Sequence, residues 1–403
     1  MNLRELFFRH IAQTSPSPLA FEVEKAEGVW LYGSKGEKLL DLISGIAVSN
    51  VGHRHPRVVE AIREQSERYF HTLVYGEMIQ SPQVRLAEKI SSVLPPSLNS
   101  VYFVNSGSEA IEGALKLAKR ATGRSRIFSM KHAYHGSSHG ALSVTGDAAL
   151  KQGYGPMLPD VYHIPYNDFS ALQQIDYHTA AVIVEGIQGE AGVVVPQAGY
   201  LSALRQRCSQ VGALMILDEI QTGFGRTSTL FYLEQAGIVP DILTIAKGMG
   251  AGLPIGAFVA SRELMSVLSF NPVLGHITTF GGHPLSAAAA LAGLEVLTEP
   301  GFMEEVREKS LYLRQQLGTL PGVLEIRGTG MMYALLLKDA ESVQRCITRC
   351  LEKGVLTDWF LFAPDCVRIA PPLVITREEI DFAIQGLEYG LGQTGASLGE
   401  RFA

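Results

Sequence analysis

Short runs of β-branched and apolar residues alternate with helical patterns through the middle of this 403-residue chain. The runs RIFSM, AAVIVEGI, ALMILDE and DILTIAKG each have the length of a strand, and several are apolar on both faces. Strands of that kind are typical of a mostly parallel sheet that helices cover on each side. The alternation therefore predicts an α/β fold built around such a sheet.

The pattern changes towards both ends of the chain. After about Leu285 long helical stretches take over, and the segment Gly322–Leu337 is strand-like again before a helix near Ala340–Lys353. Near the N-terminus, GVWLYGSKGEKLLDLISG predicts a hairpin with Ser34-Lys35-Gly36 at its turn. We predict a large domain over residues 46–295 and a smaller α+β domain formed by residues 1–45 and 296–403.

Composition excludes several classes of partner. The formal net charge is -6 and acids and bases are mixed, so no basic stripe favours nucleic acid. The four cysteines form no C-x-x-C pair, which predicts neither a zinc site nor a disulfide framework and favours a reducing compartment. Apolar runs such as Ala287–Leu291 are too short to span a bilayer, and the first ten residues lack a signal-peptide core. A cytoplasmic protein without a membrane partner is expected.

Ligands of open α/β sheets bind beyond the carboxyl ends of the strands, so the residues after each run are the candidate site. After VYFV, Ser106 and Glu109 fit a capping box, which predicts that a helix begins there. Gly107 and Ser108 at that helix start would offer N–H donors to a phosphate. After RIFSM, Tyr134 beside a glycine could lie flat on a planar ligand. Taken alone, a simple helix cap and an ordinary core aromatic explain these two features better.

Two further strand ends carry charged residues. Asp218 follows ALMIL, where a carboxylate could keep a ring nitrogen protonated, although a helix cap or a buried ion pair fits the same pattern. Lys247 ends DILTIA and precedes several glycines. A lysine in such a site can form a Schiff base, and a lysine that merely reaches water from a strand end is the alternative. The chain between the two is long enough for one helix and one strand, which would place both on neighbouring strand ends.

These features together describe a site for pyridoxal 5'-phosphate (PLP): a phosphate cradle, a stacking aromatic, a carboxylate for the pyridinium and a lysine for the aldehyde. Glu219, next to Asp218, has no role in such a site, and we predict that it makes a structural hydrogen bond.

Eight ordered motifs carry a resemblance that covers nearly the whole chain: NVGHRHP, NSGSEAIEGALKLAK, EGIQGEAGV, LDEIQTGFGR, AKGMGAGLPIGA, TTFGGHPL, EIRGTGMM and VRIAPPLVIT. In these motifs the chain resembles the class III aminotransferases of PLP fold type I, the ornithine/acetylornithine aminotransferase group. The resemblance implies transamination between an ω-amino donor, such as acetylornithine or ornithine, and 2-oxoglutarate by ping-pong half-reactions. It also implies a homodimer with shared active sites.

The resemblance also implies a role for each residue at a motif position. Arg368 would bind a substrate carboxylate, and Glu190 would pair with Arg368 as a gate that hides its charge while an amine donor is bound. A threonine at the position of Thr279 would reach the phosphate bound by the partner subunit. The remaining implied contacts all involve PLP: Lys247 with the aldehyde, Asp218 with the ring nitrogen, Gln221 with the phenolic oxygen, Gly107 and Ser108 with the phosphate, and Tyr134 with the ring face.

Three positions depart from the ornithine and acetylornithine pattern. Ser137 stands where those enzymes usually have an arginine for the donor's α-carboxylate, no tyrosine lies near Pro16, and Gly186 replaces a common proline. Donors such as GABA, lysine or a diamine, or an aminomutase reaction on the same fold, therefore remain open.

Other classes are less consistent with the sequence. A PLP-binding protein without turnover and a nicotinamide dehydrogenase are the main alternatives, but no G-x-G-x-x-G follows the first strand. His53 and His55 have no carboxylate or cysteine at metal-ligand spacing, and a turn before a helix over Arg57–Phe70 explains them better.

Overall fold

A computed structural model describes residues 2–392 of the chain. The final residues of the predicted C-terminal segment, 393–403, lie outside this part. The helices are α1 (Leu3–His10), α2 (Ser44–Ala47), α3 (Pro56–Ser66), α4 (Ser81–Ser92), α5 (Gly107–Thr122), α6 (His139–Val144), α7 (Tyr200–Val211), α8 (Tyr232–Ala236), α9 (Arg262–Ser266), α10 (Pro284–Leu297), α11 (Phe302–Leu317), α12 (Ala340–Glu352) and α13 (Arg377–Gly390).

The strands form three sheets. They are β1 (Val23–Glu27), β2 (Trp30–Gly33), β3 (Lys38–Asp41), β4 (Ser100–Val104), β5 (Arg126–Met130), β6 (Val161–Ile164), β7 (Thr179–Glu185), β8 (Leu214–Asp218), β9 (Ile242–Ile245), β10 (Gly256–Ala260), β11 (Glu325–Thr329), β12 (Met332–Leu336), β13 (Val355–Leu356), β14 (Trp359–Phe360) and β15 (Ala363–Ile369). Short 3₁₀ turns cover Ala149–Lys151, Ala171–Gln174, Lys247–Gly250 and Val267–Ser269.

The central sheet has seven strands in the order β4-β10-β9-β8-β7-β5-β6. All neighbours from β9 to β6 are parallel, and β10 alone runs antiparallel to its neighbours β4 and β9. The predicted mostly parallel sheet is therefore confirmed. The chain order of the strands differs from their spatial order, so β5 and β8 are separated only by β7.

Both faces of this sheet are buried, as the apolar strands predicted. Along β7, Ala181 and Ile183 pack on the side of α5, whereas Val182 and Val184 point into the larger core on the other side. All four side chains are fully buried. Full burial of a Val or Ile side chain contributes about 1.5–3 kcal/mol, so two-sided burial makes this strand a rigid base for the residues that follow it.

Two small four-stranded sheets lie outside the central one, in the orders β1-β2-β3-β13 and β11-β12-β15-β14. The predicted N-terminal hairpin is confirmed as β2 and β3, with Gly36 in a left-handed turn conformation at φ 85°. The predicted strand-like segment 322–337 forms the antiparallel pair β11 and β12. Because β13 of the C-terminal segment pairs in parallel with β3, both ends of the chain share one sheet. This pairing agrees with a small domain built from both ends, whose boundaries remain a prediction.

The two histidines of the GHRHP motif shape a turn before α3. His53 Nε2 lies 2.8 Å from Asp41 Oδ2, and His55 Nδ1 accepts the backbone N–H of Arg57 at 3.3 Å at the start of the helix. The predicted C-terminal end of this helix, Phe70, was wrong because the helix stops at Ser66. There the Gln65 carbonyl accepts the N–H groups of both Arg68 at 3.0 Å and Tyr69 at 3.3 Å, and a tighter turn of this kind is common at the end of a helix.

Within residues 2–392, no helix has both the length and the apolar character needed to cross a bilayer. In the same range, no group of three or more His, Cys, Asp or Glu side chains is arranged to hold a metal ion. The four cysteines are free and buried.

Candidate active site

A cavity of about 480 Å³ opens at the carboxyl ends of the central strands. Residues at or after the ends of β4, β5, β7, β8 and β9 line it, which is where ligands bind in sheets of this kind. Of the residues predicted to bind the cofactor, the following line this cavity: Gly107, Ser108, Tyr134, Asp218, Gln221 and Lys247. The structure thus brings together six side chains or backbone positions that are far apart in the sequence.

Asp218 is fixed in orientation by a buried histidine. Its Oδ2 lies 2.7 Å from Nδ1 of His135, and its Oδ1 accepts the N–H of Ile220 at 2.9 Å. Both side chains are nearly inaccessible, and Nε2 of His135 is buried without a partner among the described residues. An acid held at both oxygens in this way has a fixed orientation at the cavity. The sequence prediction gave His135 no role.

Lys247 follows β9 in a left-handed backbone conformation, at φ 50°. Burial lowers the pKa of its amine, whereas the negative charges of Glu190 and Asp218 act in the opposite direction. Since β8 and β9 are adjacent and parallel, Lys247 and Asp218 emerge from neighbouring strand ends, as predicted. A lysine with a lowered pKa has a larger neutral fraction, which is the nucleophilic form.

Helix α5 begins at the cavity, as the motif after β4 predicted. Ser106 accepts the N–H of Glu109 at 3.2 Å, but the Glu109 carboxylate bonds to Asn105 instead of closing the capping box, with its Oε2 2.7 Å from the Asn105 N–H. The first N–H groups of a helix have no partner within it, so Gly107 and Ser108 offer donors at this point.

A glycine allows the next loop to cross the start of α5. A side chain at Gly136 would place its Cβ 2.1 Å from Oγ of Ser108. Close approach lets the N–H of Ser137 donate to the same Oγ at 3.2 Å, while the Ser137 hydroxyl lies 3.2 Å from the hydroxyl of Tyr134. The aromatic ring is therefore tied to the helix start through a serine.

Glu185 ends β7 beneath this loop. It is buried and accepts the N–H of Tyr134 at 3.0 Å and that of Gly189 at 2.9 Å. Burial raises the pKa of its carboxyl to about 7, although the charge of His135 and the two N–H donors favour the ionised form. Glu185 was not predicted as a site residue, although it is the first residue of the EGIQGEAGV motif.

Arg368 and Glu190 form the ion pair that the family resemblance implied, and both side chains are buried. Nη1 and Nη2 of the guanidinium donate to the two carboxylate oxygens at 3.0 and 2.9 Å, a bidentate arrangement. Burial alone would raise the pKa of Glu190, but the charge and hydrogen bonds of Arg368 outweigh burial and lower it. Asp358 was not predicted and accepts a hydrogen bond from Nε of the same arginine at 2.8 Å. Burial raises the pKa of Asp358 to about 6 against the effect of Arg368.

Thr279 is the one predicted cofactor residue that does not line the cavity of its own chain. Thr279 is exposed and lies on the loop before α10. The hydroxyl of its neighbour Thr278 accepts a hydrogen bond from Nδ2 of Asn105 at 2.8 Å. A single chain therefore does not complete the predicted set.

Two residues near the site have structural roles. Glu219 is fully buried and accepts hydrogen bonds from the N–H groups of Tyr232 and Leu233 at 2.6 and 2.8 Å and from the hydroxyl of Thr222 at 3.0 Å. The predicted structural hydrogen bond is therefore confirmed. A side chain at Gly186 would place its Cβ 2.6 Å from the ring of Tyr232, which explains the glycine there.

Comparison with known proteins agrees with this geometry. The profile of the aminotransferase class-III family matches residues 11–391. An acetylornithine aminotransferase from Caldanaerobacter subterraneus subsp. tengcongensis is 41% identical over 381 residues, covering 90% of this chain and 93% of that protein. Among solved structures, an (S)-enantioselective omega-transaminase from Thermomicrobium roseum matches with a TM-score of 0.88 at 31% identity, covering 97% and 98% of the two chains. An ornithine aminotransferase from Toxoplasma gondii matches with a TM-score of 0.88 at 30% identity, covering 96% and 94%.

The chain belongs to the class-III aminotransferase family, whose members use PLP, and its fold is that of the fold type I aminotransferases.

Proposed function

We propose that this enzyme binds PLP in the cavity beside Lys247 and transfers an amino group from an ω-amino donor, such as acetylornithine or ornithine, to 2-oxoglutarate in two half-reactions. The observation that carries this proposal is the buried Glu190–Arg368 pair, whose acid lies close enough to Lys247 for each charge to affect the other's pKa. An arginine that can be hidden or exposed suits an enzyme that must accept an amine and a dicarboxylate in one pocket.

The residues of the cavity fit PLP. Asp218 offers a fixed carboxylate to a ring nitrogen, Lys247 an amine to an aldehyde, and the start of α5 its N–H donors to a phosphate. Gln221 would bond the phenolic oxygen and Tyr134 would lie on the ring. Bound PLP supplies an aldehyde that condenses with amines and a protonated ring that accepts an electron pair. Lys247 would then carry a proton between Cα of the substrate and C4' of the cofactor.

The gate, Glu190 and Arg368, would sort the substrates by charge. While the amine donor reacts, the ion pair neutralises Arg368 and removes the attraction that would orient a donor carboxylate wrongly. When the 2-oxo acid enters, its carboxylate competes with Glu190 for the same two N–H donors. A buried ion pair is an unreliable source of stability, so a role in substrate exchange explains it better than a structural role.

Ser137 favours a second class of donor. The resemblance places an arginine for the donor's α-carboxylate at the position of Ser137, and a serine offers no such charge. A diamine without that carboxylate would need none. A diamine or another ω-amine is therefore the second candidate donor.

Steady-state kinetics test both candidates. Glutamate formation from 2-oxoglutarate would be measured with acetylornithine, ornithine, 1,4-diaminobutane, lysine and GABA as donors. Parallel lines in double-reciprocal plots are expected for at least one donor. If no donor yields glutamate, the proposed reaction is wrong; if 1,4-diaminobutane exceeds acetylornithine, the second candidate is correct.

We also propose a homodimer that shares its active sites. Several large apolar side chains of the segments before α4 and before α10, the second of which contains Thr279, are exposed in the single chain, which suits an interface. They are Met78, Ile79, Phe270, Val273, Leu274, Ile277 and Phe280. The exposed Thr279 would contribute to the phosphate site of the partner. The free, buried cysteines support a cytoplasmic location, because a reducing compartment keeps thiols unpaired.

Mixing two inactive variants tests the shared site. Lys247→Ala removes the reactive amine, and Thr279→Asp places a negative charge where a phosphate is expected. Mixed dimers regain activity if Thr279 serves the partner subunit, because one of their two sites then has both native residues. Absence of recovery after exchange of subunits, or a monomer by sedimentation, would refute the shared site.

A further inference from the structure

The Arg368 guanidinium is held by two carboxylates instead of one. Nε donates to Asp358 Oδ1 at 2.8 Å, while Nη1 and Nη2 donate to Glu190. Nη2 also donates to the carbonyl of Trp359 at 3.1 Å. The gate as proposed above needs only Glu190 and Arg368, so the contact with Asp358 calls for a separate explanation.

The two carboxylates come from different parts of the fold. Asp358 directly precedes β14, which pairs with β15, the strand that contains Arg368. The Arg368 N–H donates to the Asp358 carbonyl at 2.8 Å, so backbone and side chain both join these two residues. Glu190 instead follows β7 of the central sheet. The Nε edge of the guanidinium is thus held from its own sheet, whereas the acid at the Nη edge follows a strand of another sheet.

Further contacts hold the arginine from the side of Asp358. The guanidinium carbon lies 4.2 Å from the centre of the Phe360 ring, a cation–π arrangement. None of the contacts with Asp358, Trp359 and Phe360 involves Glu190. If Glu190 turned away, Arg368 would keep one carboxylate, one carbonyl and one ring, whereas a buried arginine with no other acid would lose its only counter-charge.

The Nη edge of the guanidinium, once Glu190 has turned away, would match an incoming carboxylate. Arginine binds carboxylates best through two parallel N–H bonds, and Nη1 and Nη2 are the donors that Glu190 occupies. The Glu190 carbonyl accepts the N–H of Phe362 at 3.0 Å, so its backbone can stay in place while the side chain turns.

We propose that Asp358 is a positioning residue, which fixes Arg368 from the Nε side so that a 2-oxo acid carboxylate can exchange with Glu190 on the Nη side without movement of the arginine. The proposal rests on the function proposed above for Arg368.

Charge alone predicts a different result. Removal of either acid makes the surroundings of Arg368 more positive, which should strengthen the binding of any anion. Positioning predicts stronger binding after loss of Glu190 and weaker binding after loss of Asp358. The two explanations therefore differ in sign for Asp358.

The test uses protein reconstituted with pyridoxamine 5'-phosphate and mixed with 2-oxoglutarate in single turnovers. We expect Asp358→Ala to raise the half-saturating concentration about 10-fold or more and to change the maximal rate little. Asp358→Asn should recover most of this loss, because its amide oxygen can accept from Nε. Glu190→Gln should lower the half-saturating concentration. The Asp358 side chain is 24% exposed, so a small polar residue can replace it. Asp358→Ser is therefore the substitute if Asp358→Ala does not fold.

Calorimetric titration with glutarate, a dicarboxylate that cannot react, gives a second readout on the same proteins. Weaker binding to Asp358→Ala and stronger binding to Glu190→Gln are expected. If the wild-type protein converts no 2-oxoglutarate, the proposed function fails. If the wild-type protein converts 2-oxoglutarate but Asp358→Ala has an unchanged or lower half-saturating concentration, only the positioning role is overturned.

Discussion

The cofactor side of the cavity (His135, Asp218 and Lys247) and the gate are built in different ways. The cofactor side comes entirely from the strand ends of one sheet, and Asp218 is held at both oxygens. The gate joins two sheets through a bidentate ion pair that one side-chain rotation would break. Under the proposed function, this difference would keep the chemical groups fixed and place substrate selection in a contact that can open.

Lys247→Ala should have the largest effect, because no other side chain on the cofactor side can both bind an aldehyde and carry a proton. We expect the rate of both half-reactions to fall by at least about 10³-fold. The matched control is Lys151→Ala, since burial also lowers the pKa of Lys151, which lies outside the cavity lining. Wild-type turnover by Lys247→Ala would show that the cofactor side does not contain the group that reacts.

Asp218→Asn should reduce both half-reactions by about 10²-fold, because an amide cannot hold a ring nitrogen protonated. The neighbouring buried acid provides the control: Glu219→Gln should leave turnover nearly unchanged. Rates would be measured in single turnovers with each substrate. An Asp218 variant that slowed only the 2-oxoglutarate half-reaction would show that the cofactor side and the gate are not separate.

Glu190→Gln should lower the half-saturating concentration of 2-oxoglutarate and raise that of a carboxylate-bearing donor. An unpaired Arg368 should bind 2-oxoglutarate more tightly by about 10-fold and orient carboxylate-bearing donors wrongly. Half-saturating concentrations would be determined separately for the donor and for 2-oxoglutarate. Equal changes in both would contradict selection by charge.

Glu219→Gln should have the smallest effect, on stability alone. Burial raises the pKa of Glu219 from its ordinary value near 4.5 to about 7, so the folded protein binds more protons than the unfolded chain between these values. Stability contributed by this group is therefore complete below pH 4.5 and is lost as the pH rises towards 7. The variant lacks this loss, so its melting temperature should rise relative to wild type between pH 5 and 7, by an amount equivalent to on the order of 1–3 kcal/mol. A constant difference in melting temperature would show that Glu219 does not titrate in this range.

The same contrast explains what the sequence could predict. Asp218 and Lys247 were recognisable because each directly follows an apolar strand, and consecutive parallel strands often lie side by side. The contact of His135 with Asp218 could not be predicted, because it depends on β7 lying between β5 and β8. The order of strands in the chain does not determine their order in the sheet. Glu190 and Arg368 were found only through the family resemblance.

Asp358 gave no sequence signal at all. It precedes a two-residue strand whose pairing with β15 shifts register, and a one-residue change in register would turn its side chain away from Arg368. Such contacts depend on packing between segments and not on local pattern.

The most direct test of the central claim is the absorption spectrum of the PLP form mixed with one substrate at a time. Acetylornithine, ornithine, 1,4-diaminobutane and glutamate would be added separately without an acceptor, and 2-oxoglutarate afterwards. We predict that glutamate and at least one ω-amine remove the visible absorption band, and that 2-oxoglutarate restores it. If the ω-amines and glutamate all leave the band unchanged, or if 2-oxoglutarate fails to restore it, the proposed two-step transamination is wrong.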